Sequence, residues 1–257
     1  MPANKFKERL RAGDQMIGIW SMLAHTSVLE VITQTPYDWV LVDTEHSPNE
    51  LPMVIEQLRS VKQSGMPSLV RASHNNTVEI KRLLDAGVQT VVVPMVDNEA
   101  QARQAVAAVR YPPQGVRGVS LATRANNYGT EAGYLANANE QVCLLVQIET
   151  LEAVDNLEKI AAIDGIDGLF IGPSDLAAAM GHLGNFKHPE VQAAIMDVLA
   201  RSHAAGKPIG ILMADPQLSE AYIRAGFDYV AVITDIGLLR QGADATLARC
   251  VAFKRAG

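Results

Sequence analysis

Short apolar runs recur along this chain, and several stop abruptly at polar or ionisable residues. Val40-Leu41-Val42 runs into Asp43-Thr44-Glu45-His46, and Leu69-Val70 into Arg71. Leu144-Leu145-Val146 runs into Gln147-Ile148-Glu149, and Leu169-Phe170-Ile171-Gly172 into Pro173-Ser174-Asp175. Runs this short, rich in β-branched residues and lacking polar alternation, read as buried strands. A strand that is apolar throughout and ionisable only at its carboxyl end is how a (β/α)8 barrel presents its chemistry.

Taken in order, the pattern predicts strands over residues 16–20, 38–43, 68–72, 90–94, 142–147, 167–171, 208–213 and 229–233. Helices are expected over 4–12, 27–35, 51–63, 77–86, 99–109, 151–160, 188–205, 218–225 and 243–255, with a further one opening at Ser174. Strands and helices alternate eight times, so the expected fold class is α/β, a single (β/α)8 TIM barrel domain over residues 1–257 with right-handed crossovers. Residues 111–133 break the alternation: Pro112-Pro113-Gln114-Gly115 reads as a turn, and the stretch from Gly118 to Gly129 is polar and irregular. An insertion of this length is usually functional or disordered.

Composition narrows the function without adding to the fold. The length, 257 residues, is ordinary for one such barrel. Net charge is -6 with no basic cluster, which argues against nucleic acid as a partner. No apolar run has the length of a membrane span, and residues 1–13 are charged rather than signal-like, so no membrane is expected. Cys143 and Cys250 lie far apart without metal spacing, and Cys143, within an apolar strand, reads as a core residue. A reducing, cytoplasmic setting fits.

The chemistry gathers at the strand ends. Glu149 and Asp175 close neighbouring strands, which lie about 4.8 Å apart. Two such carboxylates repel unless one protonates or a cation stands between them. Oxygen ligands with room for water suit Mg²⁺, Mn²⁺ or a similar hard ion. The ordinary alternatives are that Asp175 caps the helix beginning near Leu176 and that Glu149 is an exposed first-turn acid. Pro173-Ser174-Asp175 opens a helix, whose free backbone N–H groups suit a small carboxylate, and Gly172 lets a ligand approach the backbone. His46 is a candidate general base, oriented by Asp43 or another acid, or else a structural histidine. Arg71 can hold a carbonyl oxygen or a developing enolate, or simply pair with Glu45 or Asp43. No lysine falls inside a strand or at its carboxyl end, which disfavours imine chemistry. Nor does a glycine-rich phosphate loop follow strands seven and eight, which argues weakly against a sugar phosphate. Leu212 is a candidate apolar wall, or an ordinary core leucine.

With these residues in view, the chain resembles the HpcH/HpaI aldolases, pyruvate-type class II enzymes of the phosphoenolpyruvate/pyruvate barrel superfamily. The resemblance rests on Asp43-Thr44-Glu45-His46-Ser47-Pro48-Asn49, Tyr111-Pro112-Pro113-Gln114-Gly115-Val116-Arg117-Gly118-Val119, Gln147-Ile148-Glu149-Thr150, and Ile171-Gly172-Pro173-Ser174-Asp175-Leu176 followed by Met180-Gly181-His182-Leu183-Gly184-Asn185. It is similar above all to the 4-hydroxy-2-oxoheptane-1,7-dioate aldolase branch. The resemblance implies that Glu149 and Asp175 bind a divalent metal ion (Mg²⁺, Mn²⁺ or Co²⁺), that Arg71 contacts the keto oxygen, and that His46 takes part in proton transfer. It implies that Gln147 lies at the site, and that Asp85 pairs with the histidine across a subunit boundary. It further implies a homo-oligomer, a hexameric trimer of dimers with C-terminal helices exchanged. Two departures stand out. Ser174 replaces a common alanine, and Asn127-Tyr128 stand where the family often has Arg-Trp, leaving the acceptor aldehyde open.

The expected activity is therefore reversible cleavage of a 4-hydroxy-2-oxo acid to pyruvate or hydroxypyruvate plus an aldehyde. Two other readings remain: a CoA-thioester lyase of the same superfamily, which would be expected to be longer and more basic, and a barrel that only binds a 2-oxo acid. The latter would be expected to have lost one of His46, Arg71, Glu149 or Asp175, and all are present.

Overall fold

Eight parallel strands pair in sequence order and close into a barrel: β1 (Met16–Ser21), β2 (Trp39–Asp43), β3 (Ser68–Arg71), β4 (Thr90–Val93), β5 (Cys143–Ile148), β6 (Gly168–Ile171), β7 (Ile209–Leu212) and β8 (Tyr229–Thr234). The structure, a computed structural model, describes residues 3–251 and 253. The helices are α1 (Lys5–Ala12), α2 (Thr26–Ile32), α3 (Leu51–Ser64), α4 (Thr77–Asp85), α5 (Glu99–Val109), α6 (Tyr134–Gln141), α7 (Leu151–Asp155), α8 (Leu157–Ala161), α9 (Pro173–Ala179), α10 (Pro189–Ala204), α11 (Pro216–Ala225) and α12 (Asp235–Val251).

The two faces of each strand meet different cores. Val40, Val42, Val70, Val91, Val93, Leu144 and Val146 pack outward with helix residues such as Leu83 and Ile160. Their neighbours Trp39, Leu41, Leu69, Val92, Cys143, Leu145, Phe170 and Tyr229 fill the interior. Since side chains alternate along a strand, Asp43, Arg71 and Gln147 fall on the inward set, one layer above Leu41, Leu69 and Leu145. Small residues make room for the large ones. A Cβ at Gly18 would lie 2.2 Å from the Trp39 ring, and one at Gly210 would lie 2.2 Å from the Tyr229 ring; each glycine is the registered partner of the aromatic it accommodates.

The amino end of the barrel is plugged by α1. Phe6 stands edge-on to Trp39 and Tyr229, with centroids 6.1 and 5.5 Å away. Buried Lys7 donates to the Val142 carbonyl at 2.6 Å and pairs with Asp167 at 2.9 Å. Asn4 caps the helix and also donates to the carbonyls of Gln89 and Gln141. This end is occupied by packing, and the carboxyl end is left for chemistry.

The elements differ from the sequence pattern in a few places. The expected helix over 151–160 divides at Asn156. Residues 134–141 are helical, although the stretch buries only Tyr134 and Ala138 and so has little apolar period to read. Inside the irregular insertion, a 3-10 segment spans Arg124–Gly129, with Asn127 and Tyr128 in the left-handed region. The closing helix begins at Asp235 rather than Ala243, because Asp235 anchors its first turn; of the predicted stretch, residues 252, 254 and 255 lie outside the described residues. Among the described residues no helix is long and apolar enough to cross a membrane.

Candidate active site

Register sets Asp43 opposite Arg71 across β2 and β3. Arg71 Nε donates to Asp43 Oδ1 at 2.8 Å and Nη2 to Oδ2 at 2.6 Å, while Nη1 lies 2.6 Å from Glu45 Oε2. The guanidinium sits over the Trp20 ring, 4.9 Å from its centroid, and Trp20 Nε1 donates to Asp43 Oδ2 at 3.2 Å. Burial pushes the Asp43 carboxyl up, but the hydrogen bonds and charge of Arg71 outweigh it and hold Asp43 below its ordinary range. Burial opposes the Arg71 charge too, and Asp43 and then Glu45 more than restore it. A planar fork clamped on two sides has one orientation.

The second half of the site follows β5 and β6. Glu149 is 2 % exposed. Its Oε1 accepts from the Met95 backbone N–H at 2.7 Å, and its Oε2 from Gln147 Nε2 at 2.8 Å. Met95 adopts φ 53°, uncommon for a residue with a side chain, so the loop after β4 holds a strained conformation that aims this N–H at the carboxylate. Gly172 is required beside it: a Cβ there would lie 2.0 Å from Glu149 Oε2. Burial pushes Glu149 up to about 7; the Met95 N–H opposes this, and the charges of Asp175 and Glu45 add to it. Glu45 is raised as well, first by burial, with Arg71 and His46 opposing and Asp43 and Asp175 adding.

Asp43, Glu45 and Glu149 thus share one buried arginine, and the Asp175 charge acts on Glu45 and Glu149. The buried Oε1 of Gln147 has no hydrogen-bond partner. Carboxylate oxygens in excess of local positive charge, with an orphaned amide oxygen beside them, form a donor set that fits a hard divalent cation. Glu149 and Asp175 are the residues that would hold it.

A cavity of about 340 Å³ opens at this end, and its lining includes His46, Arg71, Gln147, Gly172, Pro173, Ser174, Asp175 and Leu212. The sequence-predicted groups are therefore brought together, with three exceptions. Glu149 is buried just behind the cavity, against two of its lining residues, Gln147 and Gly172. Asp43 lies beneath the cavity and is turned to Arg71 rather than to His46; the acid on which the His46 charge acts is Glu45. Asp85 ends α4 and pairs with Arg117 at 2.9 Å, outside this cavity. The helix-cap reading of Asp175 does not hold, since α9 already begins at Pro173 and its cap, Gly172, has no side chain. A larger cavity, about 780 Å³, is lined by Lys5, Arg59, Lys62 and Arg124 among others. It lacks paired acids around a buried arginine, so size does not choose the site.

Some contributors were not visible in the sequence. The Met95 N–H is a backbone group, and no residue type signals it. Asp235 accepts from Ser21 Oγ at 2.9 Å and from the Leu23 N–H at 3.0 Å, pinning the loop after β1 to the end of β8. The only sequence signal for it is an acid at a strand end.

A closed eight-stranded barrel with acids and a clamped arginine at the carboxyl ends of its strands defines an enzyme of the barrel type. Comparison with known proteins places it further. The chain belongs to the HpcH/HpaI aldolase/citrate lyase family, whose model matches residues 16–242. It is 50% identical over 242 residues to a hydroxypyruvate/pyruvate aldolase of Pseudomonas aeruginosa, covering 94% of this chain and 90% of that one. It is 49% identical over 247 residues to a 4-hydroxy-2-oxo-heptane-1,7-dioate aldolase of Klebsiella pneumoniae, covering 96% and 93%. The crystal structure of a family protein from Burkholderia cenocepacia superposes with a TM-score of 0.93 at 37% identity, covering 96% of this chain and 99% of that one. The chain is accordingly an aldolase, and so a lyase.

Proposed function

We propose that the chain is a metal-dependent, class II pyruvate-type aldolase, reversibly cleaving a 4-hydroxy-2-oxo acid to pyruvate or hydroxypyruvate and an aldehyde. The observation that supports this most is the buried Glu149 carboxyl, pushed up to about 7 next to Asp175 and within the field of Arg71. A divalent ion, Mg²⁺, Mn²⁺ or Co²⁺, held by Glu149 and Asp175 would polarise the keto and carboxylate oxygens of the substrate. The remaining work falls to side chains of this chain. Arg71, held by Asp43 and Glu45, is placed to donate to the keto oxygen as negative charge develops there. His46 takes the proton of the 4-hydroxyl, the bond between C3 and C4 breaks, and the electron pair moves toward the keto group. His46 then returns the proton to C3, which becomes the methyl group of pyruvate. The first turn of α9 around Gly172, Pro173 and Ser174 offers backbone to the substrate carboxylate, Gln147 fixes the Glu149 carboxylate, and Leu212 is an apolar wall for the aldehyde.

An imine route finds no support at the cavity, since among the described residues no lysine lines it. Lys187 reaches the rim by pairing with Asp215, but its side chain is 59% exposed, not desolvated. EDTA should abolish retro-aldol turnover, and added Mg²⁺, Mn²⁺ or Co²⁺ should restore it. Borohydride with pyruvate should leave activity intact. A lysine–pyruvate adduct by mass spectrometry, with turnover that resists EDTA, would overturn the reading.

We also propose a homo-oligomer, a hexameric trimer of dimers that exchanges α12. The reading is supported by that helix, in which only Asp235 is buried while Leu239 and Leu247 are each 64% exposed. Asp85 would then serve a neighbouring subunit's histidine, consistent with its place outside this chain's cavity. The free thiols Cys143 and Cys250 suit a cytoplasmic location.

A further inference from the structure

The loop between α9 and α10, with the first turn of α10, brings together two imidazoles and a carboxylate that the aldolase reading does not use. His182 and His188 stack with ring centroids 3.5 Å apart and planes 15° from parallel. His182 Nε2 and Glu190 Oε2 are 2.9 Å apart. One potential ligand atom from each of His182, His188 and Glu190 lies within 4.8 Å of the others. The backbone holds this arrangement in place. The His182 N–H donates to the Ala177 carbonyl at 2.7 Å, the Asn185 N–H to the His182 carbonyl at 2.8 Å, and the His188 N–H to the Asn185 carbonyl at 3.0 Å. Gln192 Nε2 donates to the Phe186 carbonyl at 2.7 Å. Both rings are partly accessible and Glu190 is exposed, so an ion could enter from solvent. Lys187, the nearest cation in sequence, is turned away onto Asp215.

We propose that His182, His188 and Glu190 form a second metal site for a borderline transition-metal dication such as Zn²⁺, Ni²⁺ or Co²⁺, separate from Glu149 and Asp175. Two imidazoles and one carboxylate, with remaining positions open to water, suit these ions; Mg²⁺ prefers oxygen ligands alone. The ordinary alternative explains the contacts only in pairs. His188 Nδ1 accepts from the Glu190 N–H at 3.3 Å as a helix cap, and His182 bonds the Glu190 carboxylate, whose pKa it lowers. Neither contact requires a ligand atom from all three residues to lie within 4.8 Å of the others. The ion would take the place of the proton between His182 and Glu190, so binding weakens as pH falls.

The test is isothermal titration of the EDTA-stripped, dialysed full chain with Zn²⁺ and, separately, with Mg²⁺. The His182→Ala/His188→Ala variant should bind one Zn²⁺ fewer per chain than the wild type, whatever number the barrel mouth takes. Mg²⁺ binding should be the same in both. Glu190→Gln, which keeps the helix and both rings, should weaken that Zn²⁺ by at least the roughly 10–100-fold that loss of an outer partner costs. Titration of the wild type with Co²⁺ should show a visible absorption component that the double variant lacks. Equal Zn²⁺ stoichiometry in wild type and double variant, with both folded by circular dichroism, would overturn the site. Because the readout is a difference between two proteins with intact Glu149 and Asp175, failure here leaves the aldolase reading untouched, and failure of the EDTA test leaves this one untouched.

Discussion

Arg71 is held by three separate contacts, and each uses its planar shape. It is forked onto Asp43, paired with Glu45 and stacked over Trp20. Arg71→Lys keeps the charge but cannot keep the fork. Retro-aldol kcat should fall by about 10²–10³, the usual loss for one oxyanion donor, and a change within about threefold on that scale would place Arg71 outside the chemistry. Glu149 makes a prediction about stability. Its carboxyl rises from 4.5 in the open chain to about 7 in the metal-free fold. Between those values the folded state keeps a proton that the unfolded chain has released. The stabilising contribution is therefore complete below about pH 4.5 and lost as pH rises through about 7, a difference on the order of 3 kcal/mol at 1.36 kcal/mol per unit. Urea unfolding in EDTA at pH 5 and pH 8 should show this decline in wild type and not in Glu149→Gln. Equal pH dependence in the two proteins would mean that Glu149 ionises as it does in water. Much of this scale was legible in the sequence, since His46, Arg71, Gln147, Glu149 and Asp175 all end or follow apolar runs. That Asp43 and Glu45 both clamp Arg71 was not, because either acid alone could have paired with it and only the turn of the backbone after Asp43 brings the second one round.

At the scale of elements, the strands are built on alternation that their own sequences conceal. Val40-Leu41-Val42 is apolar at every position, yet Leu41 faces the barrel interior and its two neighbours face helices. A strand covered on both faces reads as a continuous apolar run, so the inward parity of Asp43 and Arg71 follows only once the barrel closes. The helices show the complementary limit. Strongly amphipathic α3 and α4 begin where the pattern predicts, at Leu51 and Thr77. Weakly patterned α6 buries only Tyr134 and Ala138, too little for a helical period, and α12, almost wholly exposed, has no buried stripe to mark its start. The plug at the amino end is a stability device remote from the chemistry. Phe6 is 1% exposed and touches two interior aromatics edge-on. Phe6→Ala should cost about 3–5 kcal/mol by urea unfolding while the folded enzyme keeps its turnover. A loss below about 1 kcal/mol would show that the barrel floor repacks without it.

The whole molecule is decided by what its surfaces still expose. Ile236, Leu238, Leu239, Leu247 and Val251 leave apolar area on α12 exposed among the described residues. Changing Leu239 and Leu247 together to Asp should lower the mass found by multi-angle light scattering, and an unchanged mass would exclude α12 from the assembly contacts. The sequence by itself determined the eight-fold alternation, the end of the barrel at which chemistry gathers, and the family, because these depend on residue order along the chain. Only the tertiary structure decided that Asp43 and Glu45 clamp Arg71, that Met95 gives a strained N–H to a buried Glu149, and that Asp85 stands outside this chain's cavity. Those facts depend on strand register, on side-chain parity inside a closed barrel and on the turn each loop takes. They are distances between residues far apart in the chain, and a pattern read locally contains no distances.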